Sequence, residues 1–527
     1  MKSRLKIKHL ILFSMLFLFR LYAEAQTTVW NQTYAISGSS ISGSYSTTNT
    51  NGIYTATGEY VYSSRIAKIR ITRHNFSGFL TGTNAFQFGN LVNDISINKI
   101  QSDAAGNIYV LFQTSTGSAS QGDCYLISYT SGLTLRWIRS LNTGTNNQGS
   151  DFTLASNGNI YATMTYFSGT NAYLGIKKVN MSTGTIASSF GMGTSTTPYV
   201  NRIVTDANGN SYVCGMKFLS AGYSQGFVSR FTNAGINSWT YYHSASTSST
   251  FEDITLDNFG NTIYACGSIK SSSGLYSASV YKFNTSGAVT GNYLFSNSND
   301  NSFLRITRNA SGTINVYGMS ETTTTASLLV TTLNSSLTSV ISTFTSPTGI
   351  YASSYVMINT MSIIDHPNGA RSISISMVAV FSGNGSPQTY IIRLNASGGV
   401  VFSNLLSESS IIHPVYSTTI SNTDFITSSN WEYSLTRYIA PPARLEQETI
   451  TEDINFQPVP NPATNNFRLD GVTENATITI YDMNGKMIIR TNYQPGEPID
   501  VSGWNKGLYL LNIETAEGMI SRKVLVE

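Results

Sequence analysis

Asp206-Ala-Asn-Gly-Asn-Ser-Tyr-Val-Cys-Gly215 returns 51 residues later as Asp257-Asn-Phe-Gly-Asn-Thr-Ile-Tyr-Ala-Cys-Gly267. Toward the N-terminus the same signature stands at Gly158-Asn159-Ile-Tyr161, Gly106-Asn107-Ile-Tyr109 and Asn51-Gly52-Ile-Tyr54. Weaker copies follow at Ser311-Gly312, Asn368-Gly369 and Ser421-Asn422, and successive copies are 54, 52, 51, 51, 52, 57 and 53 residues apart. So regular a spacing marks an internal repeat. An Asx residue stands three positions before the glycine at Asn49, Asp103, Asp206, Asp257 and Asn309. Its side chain can accept hydrogen bonds from the amides that follow, and the glycine supplies a positive φ. That chemistry predicts a tight hairpin turn.

The flanks of each turn alternate β-branched and aromatic residues, as in Arg202-Ile-Val-Thr-Asp206 and Tyr212-Val-Cys214. About twenty residues on comes a second turn, at Asn233-Ala-Gly235, Asn284-Thr-Ser-Gly287 and Asn395-Ala-Ser-Gly398. A further strand then opens on a large apolar residue, as at Trp137, Trp239 and Phe402. Four antiparallel strands in about 52 residues, without helical periodicity, predict a propeller blade. Thr28-Val-Trp30-Asn-Gln-Thr-Tyr34 looks like the fourth-strand segment Ser238 to His243 but precedes the first turn. The last repeat, from about Thr418 to Ala440, has only three strand-like stretches. The N-terminal strand is therefore expected to complete the last blade and close the ring, removing the open edges of a linear array. Eight blades are expected. Seven is the second choice, because the copy near Asn422 is degenerate. A closed ring reads as a monomer.

The segments from Asp206 to Gly215, Asp257 to Gly267 and Val280-Tyr-Lys-Phe-Asn-Thr-Ser-Gly287 resemble the bacterial β-propeller repeat known as SBBP, over roughly residues 27–440. The resemblance implies a fold and a setting in exported proteins, and no single activity.

The first 25 residues read as a cleavable signal peptide. Lys2, Arg4, Lys6 and Lys8 precede an apolar run from Leu10 to Phe19, and Ala23-Glu24-Ala25 offers a cleavage site between Ala25 and Gln26. The run is shorter than the roughly 20 residues a spanning helix needs, which disfavours an uncleaved anchor. No later stretch is apolar enough to span a membrane. The segment holds five basic side chains and one acidic, which leaves 26 basic and 27 acidic in the rest. That balance offers no footprint for nucleic acid.

Residues 26–442 are assigned to the propeller, and 443–455, acidic from Glu446 to Asp453, to a linker. From Phe456 to Glu527 strands alternate with turns at Asn484-Gly485, Pro495-Gly496 and Glu517-Gly518, which predicts a small Ig-like β-sandwich. This module resembles the type A C-terminal sorting domain of the type IX secretion system. The matching residues are Pro460, Asn461 and Pro462; Asp482, Gly485 and Lys486; Gly507 and Tyr509; and Lys523 near the end. The resemblance implies passage across the outer membrane by that machinery and, commonly, removal of the domain afterwards. An ordinary Ig-like module is the bland alternative.

No catalytic grouping, cofactor site or metal site is assigned. Asp103, Asp206 and Asp257 could be pictured on calcium, but each repeat offers one carboxylate, and Asn49 and Asn309 offer none. Cys124, Cys214 and Cys266 lack metal spacing and read as small buried residues. His74, His243, His366 and His413 are scattered. His243, in Trp239-Thr-Tyr-Tyr-His243, could join a sugar-stacking surface but reads first as an exposed strand end. No Gly-x-Ser-x-Gly elbow leads from strand to helix, and no glycine loop cradles phosphate. Three functions remain: a surface module that binds glycan or protein, a polysaccharide-acting enzyme with carboxylates at the channel, and an inert spacer.

Overall fold

The signature turns at Asn49, Asp103, Asp206, Asp257 and Asn309 are each held by that Asx side chain. Asp206 Oδ1 accepts the amides of Asn208 at 3.0 Å and Asn210 at 2.9 Å, and Asp257 those of Phe259 and Asn261. Asn49 and Asn309 make the same kind of bond without a charge. The role is turn formation, and no ion is needed for it. Gly209 sits at a φ of 79°, where a side chain would be strained.

The computed structural model describes residues 27–439 and 457–527 apart from short connections, the largest being 346–355, 380–387 and 408–415. All regular elements among the described residues are strands. The chain divides into two compact units, 1–443 and 444–527. The segment 1–25, the cleavage pair Ala25 and Gln26, the linker 443–455, Gly485, His366 and His413 lie outside the described residues.

Eight four-stranded sheets make up the first unit. Blade 1 runs from Ser39 to Gln87, blade 2 from Asp94 to Ser140, blade 3 from Thr145 to Thr194, and blade 4 from Pro198 to Tyr242. Blade 5 runs from Ser249 to Phe295, blade 6 from Asp300 to Thr345, and blade 7 from Val356 to Ser407. Blade 8 takes three strands between Tyr416 and Ile439, and its fourth is Thr27–Thr33 from the other end of the chain. That strand pairs antiparallel with Ser434–Ile439, Asn31 opposite Thr436. The first strand of each blade packs on the first strand of the next, and the first strand of blade 8 packs on that of blade 1. The ring is closed. The propeller has eight blades, sealed as the N-terminal segment suggested.

Packing between blades explains the second turn of the repeat. Trp137 of blade 2 lies on Gly184 of blade 3, and Trp239 of blade 4 lies on Gly287 of blade 5. A Cβ at either glycine would come within 2.5 to 2.6 Å of the indole. The indole nitrogens donate to Met181 O at 3.2 Å and Thr285 O at 2.9 Å. Burying a ring of this size contributes on the order of 4–5 kcal/mol at ~25 cal/mol per Å². The signature tyrosines do related work: Tyr54 OH donates to Ser131 O of blade 2, and Tyr264 OH to Ser335 O of blade 6. A repeat cannot bury these faces alone.

The second unit is a sandwich. One sheet holds Gln457–Val459, Asn466–Asp470 and Ile499–Asp500. The other holds Met487–Tyr493, Ala476–Asp482, Gly507–Thr515 and Gly518–Val526 in that order. Phe467 and Leu469 of the first meet Ile478, Ile480, Leu511 and Val524 of the second in one buried core.

Candidate functional site

Three features of the propeller carry chemistry. The first is a line of charge on the innermost strands. Lys99, Asp151, Arg202, Asp253 and Arg305 occupy the same place in blades 2 to 6, alternating in sign. Lys99, Arg202, Asp253 and Arg305 each follow a β-bulge, and blade 3 breaks register in the segment that holds Asp151. A bulge twists the strand and re-aims the side chain beside it. Lys99 Nζ donates to Asp151 Oδ1 at 2.7 Å, and Arg202 stands 3.8 Å from Asp151 and 3.5 Å from Asp253. Asp151 Oδ2 also accepts the amide of Ile203, and Asp253 Oδ2 that of Ile306, both in the next blade at 3.1 Å. Burial pulls the Lys99 and Arg305 cations down and pushes the neighbouring Glu252 carboxyl up. These acids and bases are spent on one another and on the backbone. They hold blades together.

The second is a pair of carboxyls on blade 6. Asp300 lies opposite Glu321 across the ladder. Burial, helped by the charge of Asp300, lifts Glu321 to about 7.

The third is a furrow of about 310 Å³ on blade 3. On the third and fourth strands, Asn171–Asn180 and Ile186–Thr194, three cross-strand pairs line it: Tyr173 with Gly193, Gly175 with Gly191, and Lys177 with Ser189. Tyr166 of the second strand stacks on Tyr173 with ring centroids 5.3 Å apart and planes 14° from parallel. A Cβ on Gly175 would come 3.0 Å from the Tyr166 ring, and one on Gly193 3.0 Å from the Tyr173 ring. The glycines therefore make a floor beside an aromatic wall. Lys177 closes the other end, donating to Thr143 Oγ1 and, at 3.0 Å, to Ser189 Oγ.

Neighbouring blades show why the furrow belongs to blade 3. Tyr161 faces Lys178 across the ladder as Tyr109 faces Ser128, Tyr212 faces Arg230 and Tyr264 faces Lys282. By that register the place of Gly175 is taken by Tyr125 in blade 2 and Phe227 in blade 4. In blade 4 the cross-strand partner is Tyr242 where blade 3 has Gly191, so two rings fill the space that two glycines leave open. The same end of blade 4 carries an aromatic shelf. Tyr199 packs edge-on against Phe218 at 5.5 Å, Tyr223 is exposed beside them in sequence, and Lys217 lies 4.1 Å from the centre of the Tyr242 ring.

Residues weighed from sequence fall elsewhere. His243 Nε2 lies 3.1 Å from Tyr281 OH and Trp239 is packed on blade 5, while Tyr242 between them stays exposed. His74 is buried, which pulls its imidazole down to about 4. The three cysteines are free and buried, and burial pushes Cys124 up to about 12. Among the described residues no group of three or more His, Cys, Asp or Glu side chains could hold a metal. In the C-terminal unit, Asn461 joins the strands around it, donating to Lys523 O at 3.0 Å and accepting from Leu525 N at 2.8 Å. Pro460 and Pro462 flank it, both after cis peptides. Asp482 Oδ1 accepts Lys486 N at 2.9 Å. Tyr509 OH donates to Asn505 O at 2.7 Å, against Trp504, and Gly507 lies opposite Val526 in the same sheet. Lys523 is exposed.

Fold and sites together define an eight-bladed β-propeller followed by a β-sandwich module. Residues 459–527 match the family of secretion system C-terminal sorting domains. That module indicates export across the outer membrane, to the cell surface or the medium. No curated protein matches the chain. Among solved structures, Sqt1 of Chaetomium thermophilum bound to the N-terminus of ribosomal protein L10 is similar at 8% identity and a TM-score of 0.47, over 79% of this chain and all of that one. The β-propeller domain of the Trilobed protease from Pyrococcus furiosus is similar at 7% identity and a TM-score of 0.39, over 65% of this chain and 93% of that one. The polysaccharide lyase Uly1 is similar at 11% identity and a TM-score of 0.40, over 71% and 94%. No function follows from likenesses at that level.

Proposed function

We propose that the protein is an exported, non-enzymatic propeller of the SBBP repeat type that binds carbohydrate through the furrow of blade 3. The N-terminal segment 1–25 directs it to the periplasm, and residues 456–527 engage the type IX secretion machinery. One observation carries the binding reading: blade 3 replaces the ring pair of blade 4 by Gly175 and Gly191 beside the stacked Tyr166 and Tyr173. Stacked tyrosines offer an apolar face with polar tips, which suits a sugar ring presenting C–H groups to one side and hydroxyls to the other. The hydroxyls of Thr143 and Ser189, which line the furrow, supply hydrogen-bonding partners. The inner-strand acids support a binder over an enzyme, because Asp151 and Asp253 are already paired.

The test is a titration of the purified protein against a panel of surface-polysaccharide oligosaccharides. Tyr173→Ala and Tyr166→Ala are expected to weaken binding about tenfold each, as loss of roughly 1.4 kcal/mol of ring contact implies. Equal affinity in the variants, or silence across the panel, would remove the furrow from the account. The Asp300 and Glu321 pair favours the enzymatic alternative, since a carboxyl near neutrality beside a second acid suits proton transfer. Release of reducing ends in the same samples, lost in Glu321→Gln, would establish that alternative instead.

A further inference from the structure

Two lysines of the propeller, the half-buried Lys99 and the buried Lys177, sit in unlike company. Lys99 is matched by Asp151 at 2.7 Å. Lys177, only 6% exposed, has the neutral hydroxyls of Thr143 and Ser189 as partners, and among the described residues no carboxylate pairs with it. An ammonium carries three donors, so one remains for something else. Burying a cation without a countercharge is costly, and burial accordingly pulls the Lys177 ammonium down. Nor does the repeat require a lysine there. The same register position holds Ile127 in blade 2, Ser229 in blade 4, Tyr281 in blade 5 and Thr331 in blade 6. The cost is taken on in the one of these blades whose neighbouring position is glycine, at the end of the furrow.

No acidic side chain lines that furrow to compete for the cation or repel an anion. Its mouth is open, with Ser189, Gly191 and Gly193 exposed. We propose that the furrow selects an acidic sugar: a pyranose stacks on the tyrosine pair while its carboxylate or sulfate faces Lys177. This rests on the carbohydrate reading above and adds the charge of the ligand to it. A charge-assisted bond to a buried ammonium is roughly twice as strong as a neutral one, which makes the anion the selected feature.

The experiment titrates the purified full chain with hexagalacturonate, with the same oligosaccharide after carboxyl reduction, and with a sulfated galacto-oligosaccharide. One of the two acidic ligands is expected to bind at least tenfold more tightly than the reduced one, and which of them does so identifies the acid group. Lys177→Met should bring the affinities for the acidic and the reduced ligand together. If that variant does not fold, the comparison of charged with reduced ligand on the unaltered protein decides alone. Equal binding of charged and neutral forms, lost in Tyr173→Ala, would overturn the selection for acid and leave the carbohydrate site standing. No binding of any of the three would overturn both.

Discussion

Removing residues 456–527 leaves the protein in the periplasm, with surface and culture-medium signal at background. The deleted unit has its own core, in which Phe467, Leu469, Ile478, Leu511 and Val524 are buried among themselves. Among the described residues, the propeller's sheets close through Thr27–Thr33 and consist of strands from its own unit. Its folding should therefore survive the deletion, and only delivery should fail. Cell fractionation with an antibody to the propeller reads the outcome. Unchanged surface and medium levels would contradict the sorting assignment. Loss of the protein from every fraction would show instead that the tail is needed for folding.

The second large effect is expected at Asp151. Its carboxylate is 1% exposed, and it serves Lys99, Arg202 and the amide of Ile203 at once. Asp151→Ala takes one acceptor from each of two cations and from the buried amide of Ile203, leaving Lys99 on Phe152 O and Arg202 beside Asp253. Breaking a buried pair from one side costs about 3–5 kcal/mol. Lys99 and Arg202 keep 24% and 29% side-chain exposure and can turn to water, which places the expected loss at the lower end, ~3 kcal/mol. Denaturant unfolding followed by tryptophan fluorescence measures it. A loss under about 1 kcal/mol would mean that the charges on the inner strands are ornamental to stability. The double variant Asp151→Leu with Lys99→Met should recover much of the loss, because it removes charge and countercharge together.

Much of the ring was legible because its turns are local. An Asx three residues before a glycine and a tyrosine two to four after it report a hairpin whatever surrounds them, and the phase of these signals counts the blades. The closing strand was legible too, as a fourth-strand sequence with no repeat in front of it. The charged residues were visible one by one but not as a set. Lys99, Asp151, Arg202, Asp253 and Arg305 each stand four positions before the turn's first residue, at Asp103, Ala155, Asp206, Asp257 and Asn309. That phase, with its alternating sign, was the signal that could have placed them on one ring. The furrow was not legible, because it consists of what is missing. Gly175 and Gly191 look like any strand glycines until the register shows Phe227 and Tyr242 in their places. In the sorting module, the contact from Asn461 to Lys523 and Leu525 spans 62 to 64 residues, a distance no local pattern carries.

Closure of the ring by the first strand is the claim on which the propeller depends, and amide exchange reads it directly. Peptides covering 434–439 should exchange as slowly as strands inside blades 2 to 5, because Thr27–Thr33 pairs with them along their whole length. Deleting residues 27–33 should release that protection first in 434–439. Rapid exchange of 434–439 in the intact protein, or protection that the deletion leaves unchanged, would contradict a ring sealed in this way.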